Sequence, residues 1–75
     1  MRFIELTGKS LSRIIRDDEL HANDLPSAGI HDDTIVRVNE QGDIEVRRAT
    51  KWDIVGGLLG EYGERLRKTT GLDWV

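Results

Sequence analysis

"TIVRVNEQGDIEVRR" (residues 34–48) decides how the chain folds. Ile35, Val36 and Val38 lead into a polar stretch, "NEQGD". Ile44 and Val46 then alternate with Glu45 and Arg47. Apolar residues at every second position mark a strand with one buried face. Gly42 supplies the positive φ that a short connection between two antiparallel strands requires. The stretch therefore predicts a β-hairpin. Two strands are not stable alone in water, so other elements must cover one face.

The flanks supply those elements. "RFIELT" (residues 2–7) is short and apolar, ends at Gly8, and reads as a strand. In "SLSRIIR" (residues 10–16), Leu11, Ile14 and Ile15 fit a helix capped by Ser10. They also fit a strand entered through a turn at Thr7–Ser10. The β-branched pair Ile14 and Ile15 favours the strand, and a strand is the reading adopted. "DDELHANDLPSAGI" (residues 17–30) reads as one or two short helical turns. Its acids suit a helix start, Pro26 suits a first turn capped by Asp24, and Gly29 suits a stop.

The stretch from Trp52 to Val75 reads as one amphipathic helix, capped by Thr50 or Asp53 and ended at Gly71. Val55, Leu58, Leu59, Tyr62 and Leu66 fall at helical spacing. Glu61 and Glu64 stand four residues before Arg65 and Lys68, the spacing of helical ion pairs. Turning about 100° per residue places Gly56, Gly60 and Gly63 in a stripe beside the leucines. Such a stripe suits close packing against the protein's own sheet, a second copy or a foreign partner. The expected fold class is thus α+β: a small antiparallel sheet of hairpins, a short helical turn and one C-terminal helix. A β-rich unit at 1–50 is followed by the helix at 51–75.

Composition bounds the rest. A chain of 75 residues forms one small domain whose core is marginal. It has no cysteine, so no disulfide can stiffen it, and two histidines cannot build a structural zinc site. Extra burial is expected from oligomerisation, most simply a homodimer, or from a partner. No apolar run approaches the roughly 18 residues of a membrane span, and the N-terminus lacks a signal-peptide core. A cytoplasmic protein without membrane contact is expected.

Active-site patterns fail on spacing. "TGKS" (residues 7–10) lacks the glycine that a phosphate loop needs at position 3, where Phe3 stands. "GGLLGEYG" (residues 56–63) has neither dinucleotide-loop spacing nor the strand–turn–helix setting. His21, His31, Asp24, Asp32 and Asp33 show no metal-ligand spacing. No nucleophile elbow surrounds any serine. A non-enzymatic protein without cofactor or metal is expected.

Net charge is −3, unevenly spread. Residues 1–16 carry Arg2, Lys9, Arg13 and Arg16 against Glu5. Residues 17–33 carry six acids and no Lys or Arg. The four N-terminal cations are candidate phosphate contacts, which a dimer would double. Trp52, Val55, Leu58, Leu59, Tyr62, Leu66 and Trp74 are candidate partner contacts.

One stretch also resembles a known family. Ala28-Gly29-Ile30 ends a short helix, and His31-Asp32-Asp33 stands where a Pro-Gly-Asp turn would be. Strands at 34–38 and 44–48 flank Gly42. Residues 25–49, about a third of the chain, thus resemble the second half of AbrB-type swapped-hairpin transcription factors and MazE-like antitoxins. Toward the N-terminus only Thr7-Gly8-Lys9 is loosely similar, and Arg16 stands where the family has proline. The resemblance implies an intertwined homodimer that binds DNA through its N-terminal hairpins. It also implies a C-terminal extension that takes a toxin or other protein. The second reading is an interaction or assembly module without nucleic acid.

Overall fold

The computed structural model describes residues 1–16, 19 and 24–75. The elements are β1 (Phe3–Thr7), α1 (Gly8–Ile14), β2 (Ile35–Asn39), β3 (Asp43–Arg47), β4 (Trp52–Gly57) and α2 (Tyr62–Thr70). The strands form one antiparallel sheet in the order β1-β2-β3-β4. The fold class is α+β, as the sequence pattern implied. The helices lie on one face of the sheet.

The β2–β3 hairpin forms as expected. Val36 pairs with Val46 and Val38 with Ile44, which puts all four side chains on the buried face. Gly42 closes the turn at φ 88°, donating its amide to Asn39 O at 2.9 Å. Asn39 is buried, and its Oδ1 accepts from the amides of Gln41 and Asp43 at 2.9 and 3.1 Å. A side-chain oxygen thus does the work of a backbone acceptor in the turn. Leu58 O and the Tyr62 ring crowd Gly42 from the other side, so the site demands glycine for space as well as for φ.

Two expectations are corrected. Residues 10–16 were expected as a strand, yet residues 8–14 form α1. Thr7 is its N-cap, with Oγ1 accepting from the Ser10 amide at 3.2 Å. Helical geometry sends Leu11 and Ile14 into the core together, and that burial outweighs the strand preference of Ile14 and Ile15. The first turn lies hard against the chain opposite: a Cβ at Gly8 would stand 1.9 Å from His31 O.

The helix expected from Trp52 is the second correction. Trp52–Gly57 form β4, and α2 begins only at Tyr62. A tight turn, closed by the Arg48 amide on Lys51 O at 2.8 Å, folds β4 back onto β3. Neither Thr50 nor Asp53 caps a helix. Gly56 and Gly57 weaken a helix most, and β3 offers their backbone an otherwise open row of partners. The glycine stripe dissolves with the long helix: Gly56 is in a strand, Gly60 in the connection and Gly63 in α2. Gly60 has φ 65° and open space where a Cβ would point, so conformation rather than close packing selects glycine there. The stop at Gly71 is as expected, at φ 72° with its amide on Arg67 O.

The core lies between the sheet and the helices. Ile4 and Leu6 of β1 join the four hairpin residues from below. Leu11 and Ile14 of α1, Leu66 of α2, and Leu25, Ile30 and Leu58 from connections close it from above. Leu25 and Ile30 bracket a single helical turn at residues 24–29. There the Ala28 amide reaches Asp24 O and the Ile30 amide reaches Leu25 O. Residues 17, 18 and 20–23 of the acidic stretch, His21 among them, lie outside the described residues.

A polar clasp joins the connections. Arg65 grips Glu19 with two parallel bonds of 2.9 and 2.7 Å. Arg65 also donates to the carbonyls of Ile14 and Leu59, and Glu19 accepts from the Leu59 and Arg16 amides. The Glu19 side chain is wholly buried. Burial alone would raise its pKa, but the Arg65 bonds and the two amides together hold it down at about 2. Arg65 thus pairs across the fold with Glu19 rather than along its helix with Glu61.

Candidate interaction surface

The helices cover only one face of the sheet. Strand alternation puts Phe3 and Glu5 of β1, Arg37 of β2, Glu45 and Arg47 of β3, and Trp52 and Ile54 of β4 on the other. Arg37 stands at its centre. Its guanidinium lies 3.7 Å from the centroid of the Phe3 ring and 4.2 Å from that of Trp52. It also binds Glu45, its cross-strand neighbour, at 3.1 Å. Planar guanidinium between aromatic faces combines stacking with cation–π attraction. Glu45 balances the charge, so the stack adds no net charge to the face.

Around this stack the face is open. Ile54 is 65 % exposed and Ile35 is also exposed. Continuing the β2–β3 register one step beyond Val36 and Val46 sets Ile35 beside Arg47. Arg47 is exposed and makes no ion pair among the described residues. Aromatic, arginine and aliphatic groups with few free charges make up the centre of protein interfaces.

The two edges of the sheet are less available than this face. Val75 pairs with Phe3 through both backbone groups, at 2.7 and 3.0 Å, and covers one end of β1. On β4, Ile54 pairs with Glu45 but Gly56 with Ile44, leaving Val55 as the extra residue of a bulge. Asp53 stands next to it. Bulges and charges are devices that discourage strand addition.

The cations expected at phosphates do not gather into one surface. Arg2 precedes β1 and is held by Glu40 at 3.0 Å, which raises its pKa and lowers that of Glu40. Lys9 and Arg13 are exposed on α1, four residues apart, at the other end of β1. Arg16 follows that helix, exposed. Lys9, Arg13 and Arg16 make no ion pair among the described residues.

The seven candidate partner contacts divide differently. Leu58 and Leu66 are buried in the core, and Val55, Tyr62 and Trp74 pack against it. Tyr62 donates to Glu40 O at 2.6 Å and meets Trp74 edge to face, centroids 6.4 Å apart. Trp52 closes the Arg37 stack. Leu59 alone is largely exposed. Sequence reasoning missed Phe3, Arg37, Glu45, Arg47 and Ile54. Alternation in the hairpin placed Arg37 and Glu45 together on the polar face. The rings that enclose Arg37 come from β1 and β4, and no local pattern signals that.

Among the described residues, no group of three His, Asp or Glu is placed to hold a metal ion, and no helix is long and apolar enough to cross a membrane. Shallow concavities among the described residues include the following two. One, of about 250 Å3, lies between α1 and the turn at residues 25–32, and Ser12 and His31 both line it. The Ser12 hydroxyl donates to Lys9 O, which directs it to its own helix. The other, of about 220 Å3, lies in the β3–β4 turn. No family model, curated protein or solved structure matches the chain.

Proposed function

We propose that the protein is a small non-enzymatic interaction module that binds another protein through the helix-free face of its sheet. One observation carries this reading: exposed Ile54 and Ile35 flank the Phe3–Arg37–Trp52 stack on a face that no element among the described residues covers. Arg37 is held between two rings and by Glu45, so the stack is charge-balanced and offers contact area with little side-chain ordering on binding. A photo-crosslinking side chain at position 54 tests the reading in cells. It should capture a discrete protein, whereas the same group at Lys68, exposed on α2, should not. Equal capture at both positions, or none at position 54, refutes it.

A second reading rests on a different observation. Lys9, Arg13 and Arg16 are exposed cations on and just after one helix, none engaged by a carboxylate among the described residues. An antitoxin-like regulator, dimeric and cytoplasmic, would set them on DNA phosphates, as the resemblance over residues 25–49 implies. Such binding weakens steeply with salt. A gel shift on the protein's own promoter, lost in Lys9→Gln/Arg13→Gln, supports it. No shift at low salt removes it.

A further inference from the structure

We infer that the partner of the helix-free face presents an acidic peptide segment, and that Arg47, Lys51 and the β3–β4 turn receive it. This rests on the protein-binding reading above.

The inference starts from local charge. The chain as a whole is negative, yet the turn from Arg47 to Asp53 holds three cations and one carboxylate. Asp53 is shared by Arg48 at 3.0 Å and Lys51 at 3.3 Å, and the Arg48 hydrogen bond leads in lowering its pKa. Arg48 is further committed, donating to Ala28 O at 3.1 Å. Arg47 is left with its full charge, and Lys51, 71 % exposed, with part of its own. Both line the 220 Å3 concavity together with Thr50 and Trp52. The amides of Ala49 and Thr50, which border the same concavity, make no hydrogen bond among the described residues. Arg47 and these two amides therefore border the concavity with no acceptor among the described residues, Asp53 being taken by Arg48 and Lys51.

The position matters as much as the charge. Trp52 lines this concavity and also caps the Arg37 stack, so the two sites share a wall. Ile35 lies beside Arg47 in the continued register. Arg47 stands on β3 between Ile35 of β2 and Trp52 of β4, so an extended segment lying over Ile54 and Ile35 passes Arg47, and Lys51 follows Arg47 into the turn. Aliphatic residues with Glu or Asp beside them match that layout. Arginine also binds a carboxylate in a bidentate fork, which favours a defined geometry.

The test uses the whole chain, 15N-labelled, and three probes. The first is a capped peptide of leucines followed by glutamates. The second is the same peptide with lysines in place of glutamates. The third is inorganic phosphate. The glutamate peptide should move the amide resonances of residues 47–52 saturably, and binding should weaken with salt. Arg47→Gln/Lys51→Gln should weaken it roughly tenfold. Lys51→Gln alone, at a well-exposed position, should weaken it less and keeps the test open if the double variant does not fold. No saturable shift, shifts confined to Lys9 and Arg13, equal binding of the lysine peptide, or unchanged affinity in Lys51→Gln and the double variant each overturn the inference. Phosphate binding as tightly as the peptide also overturns it, since the site would then read any oxyanion. Crosslinking at position 54 separates the two proposals. If it survives Arg47→Gln/Lys51→Gln unchanged, the protein-binding reading stands and the acidic-segment inference falls.

Discussion

The two faces of the sheet are closed by different physics. Over the first, α1 and α2 lay Leu11, Ile14 and Leu66 on six aliphatic strand residues, and water is excluded by area. Over the second there is no helix among the described residues. One guanidinium between two rings covers the centre, and the rim stays open at Ile54, Ile35 and Arg47. The first arrangement gains most of its energy from burial and is not reversible without unfolding. The second leaves its rim apolar groups to be buried by something else. A domain this small thus concentrates stability on one side of its sheet and leaves apolar groups exposed on the other.

Leu66→Ala should strike hardest at that division. Tyr62 of α2 packs against the core, and Leu66 is the fully buried residue of the same helix. Removing it leaves a cavity and should destabilise the fold by about 3–4 kcal/mol, read as a shift in the urea midpoint. A loss under about 1 kcal/mol would mean that α2 is not an essential cover.

Acid should loosen the same side next. Glu19 sits at about 2 in the folded protein against an ordinary 4.5. The unfolded chain therefore takes up the proton first as pH falls. The stability from this carboxylate is complete above pH 4.5 and is lost progressively as pH falls toward 2. It amounts to about 3 kcal/mol. Glu19→Gln should already be destabilised at neutral pH and should show a flatter decline over that interval. A slope identical to wild type would show that the clasp is not formed in solution.

How much of this was legible depends on how local the signal is. The hairpin was, because Val36, Val38, Ile44 and Val46 declare one face by alternation and Gly42 declares the turn. The sheet's fourth strand was not. Val55, Leu58, Leu59 and Tyr62 satisfy helical spacing by coincidence, since Val55 is a bulge residue and Leu58 and Leu59 lie between elements. The free edge of β3 decided their fate, and that edge exists only after the hairpin forms. Helix α1 was misread for the opposite reason: two β-branched residues outweighed a helix capped at Ser10 in local preference, while core burial settled the structure and the cap proved to be Thr7. The Arg37 stack needed β1 and β4 both in register, and the N-terminal cations scattered because a strand separates Arg2 from Lys9.

Trp52→Ala addresses the other face. It removes one ring from the Arg37 stack but no part of the main core, so about 1–2 kcal/mol is expected by urea unfolding. Crosslinking from position 54 should fall as well. A loss matching that of Leu66→Ala would make this face a second core and would weaken its reading as a contact surface.

The smallest effects test where the chain crosses from one face to the other. Gly60 and Gly63 are three residues apart, and one continuous helix would treat them alike. Alanine would then stabilise both by about 0.8–1 kcal/mol through helix propensity. In the structure they differ. Gly60 holds φ 65° with nothing near its absent Cβ, so alanine there meets no atom but must adopt a left-handed backbone. That should destabilise by about 1 kcal/mol, and asparagine should be tolerated better. Gly63 lies in the first turn of α2, where a Cβ would touch Arg67 and Trp74 at ordinary distances of 3.6 and 3.8 Å. Alanine there should stabilise, by about 0.5–1 kcal/mol given its place near the helix end. Opposite signs in thermal unfolding fix the crossing at Gly60. Equal positive signs would restore the single long helix and remove β4, and Trp52's place in the Arg37 stack with it.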